Sequence, residues 1–199
     1  MEQLREQTRP AHLALETQPL LKQLLSSRLT RAEYGQVLQA MLAFYQSLEL
    51  ELVPAAAALL RRHPSPDYQY LPRAPLLADD CRALGCASAG FIHPPVEIQL
   101  GGRGANLPGV LYVIEGSTQG GKFIAKHLAH TLGVSEDSGA SFFHNQRWAN
   151  SWPAFRRWFG TDWAHDRQAE IDSVIAGANM TFSALHTHFD HWQGLTHGR

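Results

Sequence analysis

Two short segments hold the residues best suited to chemistry. The first is Thr8-Arg9-Pro10-Ala11-His12-Leu13-Ala14-Leu15-Glu16. Helical spacing groups His12 with Leu4, Thr8 and Leu15, so the imidazole is expected to point inward. An inward His is either a hydrogen-bonded core residue or a ligand. Glu16 follows one turn later and can bond the far ring nitrogen, an arrangement that orients a metal-ligating His and raises its basicity. Arg9 and Arg5, one and two turns towards the N-terminus, present cations along one edge.

The second segment is Leu111-Tyr112-Val113-Ile114-Glu115-Gly116-Ser117-Thr118-Gln119-Gly120-Gly121. Three glycines inside an apparent helix cost about 3 kcal/mol relative to alanine, at ~1 each. Gly109, Gly116 and Gly120 fall within about 60° on a helical wheel. Such a bare strip lets something flat approach the backbone, or lets a neighbouring helix pack close. The adjacent Gly120 and Gly121 also favour a local bend.

The elements that must position these segments read as helices. One starts near Leu4 and is interrupted at Pro19. Thr30-Arg31-Ala32-Glu33 has the form of a capping box. Behind it Tyr34, Val37, Leu38, Met41, Tyr45, Leu48 and Leu52 line one face, and Pro54 is expected to kink or restart that helix. Four prolines between Pro64 and Pro75 mark an irregular stretch, and a short helix over Leu76 to Leu84 should stop at Gly85. Residues 88–106 look like a long connection, where Val96, Ile98 and Leu100 alternate as in a short strand. Leu107 to Leu132 reads as one helix closed by Gly133. Trp148, Trp152, Phe155 and Phe159 repeat at helical spacing, as do Ile171, Val174, Ile175, Ala178, Phe182, Leu185, Phe189 and Trp192. There is no repeat, Rossmann fingerprint or P-loop. The expectation is a single all-α domain over residues 1–199, a helical bundle.

Composition narrows the function classes. A chain of 199 residues, 44% hydrophobic and 18% charged, is an ordinary globular protein rather than a disordered or fibrous one. Lys and Arg total 17 against 18 Asp and Glu, which disfavours a generally basic nucleic-acid binder. The N-terminus lacks the apolar run of a signal peptide, and Val53 to Leu60 is far short of a membrane span, so a cytoplasmic protein is expected. Cys81 and Cys86, without further cysteines, read as two reduced thiols rather than a disulfide scaffold or zinc site.

The order T-R-P-x-H followed by L-Y-V-x-E-G-S-T-x-G-G resembles the bacterial haem oxygenases, specifically the bacteriophytochrome-associated type, over most of the chain. The central motif is the more specific of the two. The resemblance implies an all-α haem oxygenase fold with haem held between a proximal and a distal helix. It implies oxidative opening of haem to biliverdin, ferrous iron and carbon monoxide. Dioxygen is consumed, and electrons come from outside, from a ferredoxin or a reductase. By the same resemblance His12 is the proximal iron ligand and Glu16 its neighbour. Gly116, Gly120 and Gly121 are distal-helix glycines, and Arg5, Arg9 and Tyr112 lie where family members engage the haem propionates. A single imidazole ligand suits iron and leaves the other axial face open to oxygen. Many members carry a carboxylate directly after the first distal glycine; here that place is Ser117, as it is in the bacteriophytochrome-associated group. The segment Phe142-Phe143-His144-Asn145-Gln146-Arg147 also departs from the family's usual glycine- and tyrosine-containing stretch.

Other residues weigh less. Lys122, Lys126, His127 and His130 form either a solvated basic face or a docking patch for an acidic electron donor. His186, His188, His191 and His197 do not share one helical face, which argues against a metal site. Trp148, Trp152 and Trp158 read as core. Glu49 and Glu51, two residues apart, diverge on a helix and are no catalytic pair. Two alternatives to a haem-degrading enzyme stay open: a module that binds or senses haem without breaking it, and a thiaminase-like all-α enzyme using a Cys nucleophile. The second is weak, because neither cysteine has a nearby His to serve as its base.

Overall fold

The computed structural model describes residues 1–86, 96, 98, 104–144, 147–163 and 170–197, and all its regular elements are helical. They are α1 (Glu2–Glu16), α2 (Pro19–Gln23), α3 (Arg31–Arg62), α4 (Ala74–Ala83), α5 (Leu107–Gly116), α6 (Thr118–Leu132), α7 (Ser141–His144), α8 (Arg147–Arg157) and α9 (Ile171–His197). A wide helical turn over Trp158–Trp163 follows α8. Val96 and Ile98 belong to no strand, and Leu100 lies outside the described residues.

The long α3 forms the spine. Its start is a capping box: the Thr30 hydroxyl accepts from Glu33 N at 3.2 Å, and Glu33 Oε2 accepts from Thr30 N at 2.7 Å. Pro54 does not restart the helix, which continues to Arg62. The proline sits on the exposed side, where the carbonyl it leaves unbonded meets water. Tyr34, Val37, Leu38, Phe44 and Leu52 are fully buried along α3; burying each such side chain is worth about 1.5–3 kcal/mol.

Carboxylates link the shorter helices in series. Glu49 of α3 accepts the backbone N–H groups of Arg73 and Ala74, which begin α4. Asp80 of α4 accepts from Ser141 N at 2.7 Å and Phe142 N at 2.8 Å, which begin α7. Each carboxylate satisfies N–H groups that a helix start leaves without a partner. The carbonyl of Phe143 in α7 then backs onto α6 at Gly121, where an added Cβ would lie 3.3 Å from it.

α5 is buried on almost every side, so its sequence is apolar all round rather than amphipathic. It crosses α9 at very close range. A Cβ on Gly109 would overlap the Val174 carbonyl, and one on Gly177 would overlap the Asn106 carbonyl. The two glycines thus allow reciprocal backbone contact. α1 packs on another part of α9, where Asn179 Nδ2 donates to Gln7 O at 3.5 Å; just beyond α1, Gln18 Nε2 donates to Asp190 at 3.1 Å.

Candidate active site

His12 is not turned inward. Its side chain is 55% exposed, while Leu4 and Thr8 on α1 are buried. At 100° per residue His12 stands about 40° from Thr8 and about 80° from Leu4, so it falls at the edge of the apolar stripe rather than within it. The ring is held from two sides. Its Nδ1 lies 3.5 Å from Glu16 Oε1, and its ring meets that of Phe182 of α9 in a T-shaped contact, with centroids 5.7 Å apart and planes at 85°. This arrangement directs Nδ1 to a carboxylate and leaves the side chain more than half exposed. Arg5 and Arg9 are exposed, within about 60° of His12 on the helical wheel.

The predicted single helix over Leu107 to Leu132 is broken at Ser117 into α5 and α6. The hydroxyls are the local reason. Ser117 Oγ donates to Ile114 O at 2.8 Å and Thr118 Oγ1 to Glu115 O at 2.6 Å, so both compete for carbonyls that a continuous helix would use. Gly133, at φ +65°, ends α6 as expected.

The glycines do not act as one strip. Gly109 serves the α5–α9 crossing and Gly121 the contact with α7. At Gly116 an added Cβ would sit 3.6 Å from the Trp152 ring, an ordinary contact. At Gly120 it would meet nothing closer than Ile124 Cδ1 of its own helix, at 3.9 Å. Gly120 is exposed, and so is the apolar Phe123 at 69%, three residues on along the same face. Tyr112 is half-buried, with its ring 5.5 Å from that of Trp152. The far end of α6 is tied to the connection between α2 and α3: His127 Nε2 lies 3.1 Å from Ser26 O, and Arg31 donates to Leu132 O at 3.2 Å. His127 is therefore half-buried and not part of a free basic face; Lys122, Lys126 and His130 are exposed. Lys122 and Lys126 border a shallow cavity with Phe143 and His144, whose Nε2 is buried without a hydrogen-bond partner. Asn145 and Gln146 lie outside the described residues, as do the side chains of Trp148 and His197.

Behind the break lies a polar cluster that sequence reasoning missed. Arg73 and Glu115 pair at 2.6 Å with 1% and 0% exposure. Tyr68 donates to Glu115 Oε1 at 3.1 Å, and Tyr70 donates to Glu49 Oε1 at 2.7 Å. Burial pushes the Tyr45 hydroxyl up to about 12. Burial also raises Tyr68 and Tyr70 well above the usual phenol range. The available signal was an acid at Glu49 within the apolar pattern of α3, and another at Glu115 inside an otherwise apolar helix. Tyr45 lies buried on the core-facing stripe of α3.

These residues fit a haem. A neutral imidazole whose Nδ1 faces a carboxylate keeps Nε2 for a metal. Gly120 offers uncovered backbone to a flat group, the apolar Phe123 and Leu13 are exposed beside the two segments, and Arg5 and Arg9 supply charges for carboxylates. His188, by contrast, is a core residue, buried with Nε2 2.8 Å from Ala40 O.

As a class, this is an all-α protein with an exposed imidazole on α1 and a glycine-bearing helix interrupted at Ser117. A family model described as "Heme oxygenase" matches residues 1–84, the part that carries His12. A heme oxygenase of Xanthomonas campestris pv. campestris (strain 8004) is 34% identical over 122 residues, 60% of this chain and 68% of the relative. The fold is similar to heme oxygenase from Leptospira interrogans, with a TM-score of 0.71 at 22% identity over 94% of this chain and 97% of that one. The NO- and CO-bound heme oxygenase from Neisseria meningitidis gives 0.71 at 22% identity, over 97% and 91%. Heme oxygenase-1 from the cyanobacterium Synechocystis sp. PCC6803, solved in complex with heme, gives 0.70 at 17% identity, over 97% and 91%. The chain belongs to the haem oxygenase family, and its fold is the all-α fold of those enzymes.

Proposed function

We propose that the chain, as one domain over residues 1–199, binds haem between α1 and the α5–α6 junction and cleaves it oxidatively to biliverdin, ferrous iron and carbon monoxide. Haem supplies the iron at which dioxygen is reduced by external electrons. The observation that carries this reading is the setting of His12: an exposed side chain on α1, with Nδ1 towards Glu16 and the ring against Phe182. His12 is the residue to hold the iron, and Glu16 orients it. Arg5, Arg9 and Tyr112 hold the propionates. Of the three glycines Gly116, Gly120 and Gly121, Gly120 keeps the distal side free of a side chain, while Gly116 lies against Trp152 and Gly121 lets α6 approach α7. Ser117 and Thr118 place hydroxyl groups at the break, where protons can be held and passed. Lys122, Lys126 and His130 suit an acidic electron donor such as a ferredoxin, or a reductase, and the product suits a bacteriophytochrome pathway in the cytoplasm. Among the described residues no helix is long and apolar enough to cross a membrane.

The test is to add hemin, then reductant and dioxygen with catalase present, and follow the visible spectrum. Wild type should lose the haem band and yield biliverdin. His12→Ala should lose the native ferric spectrum while keeping its helix content. A ferrous complex that stays intact would overturn the catalytic reading, and a wild-type-like spectrum in His12→Ala would place the ligand elsewhere.

A further inference from the structure

The end of α4 has a geometry of its own. After Ala83 the chain turns through Leu84 and Gly85, the latter at φ +67°. Gly85 N donates to Arg82 O at 3.1 Å, and Cys86 N donates to Cys81 O at 2.9 Å. These two bonds are the Schellman pattern, which brings the side chains of the third-last helical residue and the second residue beyond the cap into contact. In most helices that contact is apolar. Here the two positions are Cys81 and Cys86. α3 holds Cys86 in place from the other side. Gln39 Nε2 donates to Cys86 O at 2.8 Å, and a Cβ on Gly35 would lie 3.1 Å from Cys86 Cβ. Both cysteines are free; Cys81 is buried and Cys86 half-buried.

We propose that Cys81 and Cys86 are an oxidation site, a paired dithiol that a hydroperoxide converts into an intramolecular disulfide. The Cys86 thiolate, the more accessible, attacks one peroxide oxygen; the O–O bond breaks, and with hydrogen peroxide water leaves a sulfenic acid on Cys86. The Cys81 sulfur then attacks the Cys86 sulfur, forming the S–S bond and releasing a second water. Two thiol hydrogens and two electrons are lost, and one hydrogen peroxide is reduced to two waters. A disulfide needs its two Cα atoms within about 7 Å, and the bond from Cys86 N to Cys81 O at 2.9 Å draws the two backbones together.

The environment sets the rate. Burial pushes the Cys81 thiol up to about 12, and burial also raises Cys86. Asp80 of α4 acts on both thiols in the same direction, and Tyr34 of α3 is the further titratable group coupled to them. Oxidation is therefore slow at neutral pH and accelerates in alkali. A protein that reduces dioxygen meets peroxide from uncoupled turnover, but the dithiol geometry stands independently of the haem reading.

The full chain is exposed to hydrogen peroxide without haem, quenched with an alkylating agent and weighed intact. The expected result is a loss of about 2 Da, the two thiol hydrogens, with both cysteines protected from alkylation and dithiothreitol restoring them. The reaction should run faster in mildly alkaline buffer, and a peptide map should join Cys81 to Cys86. Cys86→Ser should lose the mass change. Two alkylatable thiols after peroxide exposure, oxygen addition to Cys86 without a cross-link, or a disulfide between chains would each overturn the proposal.

Discussion

Arg73 and Glu115 form an ion pair of 2.6 Å with neither side chain open to water. The pair joins the residue before α4 to the last turn of α5, one residue before Gly116. Removing two charges from water costs roughly what their attraction returns. Its clearest structural consequence is therefore placement: it fixes where α5 ends and the break at Ser117 begins.

Breaking the pair on one side should be costly, and replacing both sides should not be. Glu115→Leu leaves the Arg73 guanidinium buried without its carboxylate and should lose about 3–5 kcal/mol in urea denaturation. The double variant Arg73→Met, Glu115→Leu should recover most of that loss. Additive losses in the double variant would show that the two residues act separately.

The glycines should respond in opposite ways. Gly109→Ala drives a methyl into the Val174 carbonyl and should cost about 3 kcal/mol or more, because backbone cannot yield as a side chain does. Gly120→Ala meets open space and should stabilise the protein by up to about 1 kcal/mol. Gly120→Leu should block haem uptake in a hemin titration. Wild-type haem affinity in that variant would remove Gly120 from the site.

Glu16 should act through His12. Glu16→Gln keeps the size of the side chain but replaces the carboxylate, and haem affinity should fall about 10- to 100-fold. Folding stability should barely move, since both side chains are more than half exposed. Unchanged affinity would deny Glu16 its orienting part.

Alkaline pH should unfold the protein early. Burial raises the Cys81 thiol from 9.0 to about 12 and the Tyr45 phenol from 10.0 to about 12. Tyr34, Tyr68 and Tyr70 are raised in the same direction by burial. The folded state keeps these protons while the unfolded chain releases them, so stability falls as pH rises. The Cys81 and Tyr45 contributions are fully present below about pH 9 and are lost between there and about pH 12. Urea midpoints measured at about pH 8 and about pH 11 should show the drop. Most phenolate absorbance should appear together with unfolding; its appearance in the folded protein would contradict the burial argument.

Local signals were legible in the sequence. Thr30 and Glu33 announced the start of α3, and Gly133 the end of α6, because each is set by residues a few positions apart. Long-range pairings were not. Nothing near Gly109 reveals that Val174 lies against it, and nothing near Glu115 names Arg73, 42 residues earlier. The break at Ser117 was only half legible: the glycines suggested a bend, but Ser and Thr hydroxyls taking carbonyls from the helix decide its position. His12 was assigned to the right helix and given the wrong orientation, because it sits at the margin of an apolar stripe where a wheel assigns either side.

The contact between Trp152 and Gly116 gives the protein an optical gauge. An indole emits in the near ultraviolet, where porphyrins absorb strongly, so a haem arriving at Gly116 would drain the excited state of Trp152 by energy transfer. Trp158 and Trp163, joined to Trp152 through the stacked rings of Phe155 and Phe159, stand in the same aromatic row at increasing remove. Fluorescence quenching would then report the seating of the substrate at the α5–α6 junction, and its return during turnover would time the departure of the opened product, with no label attached.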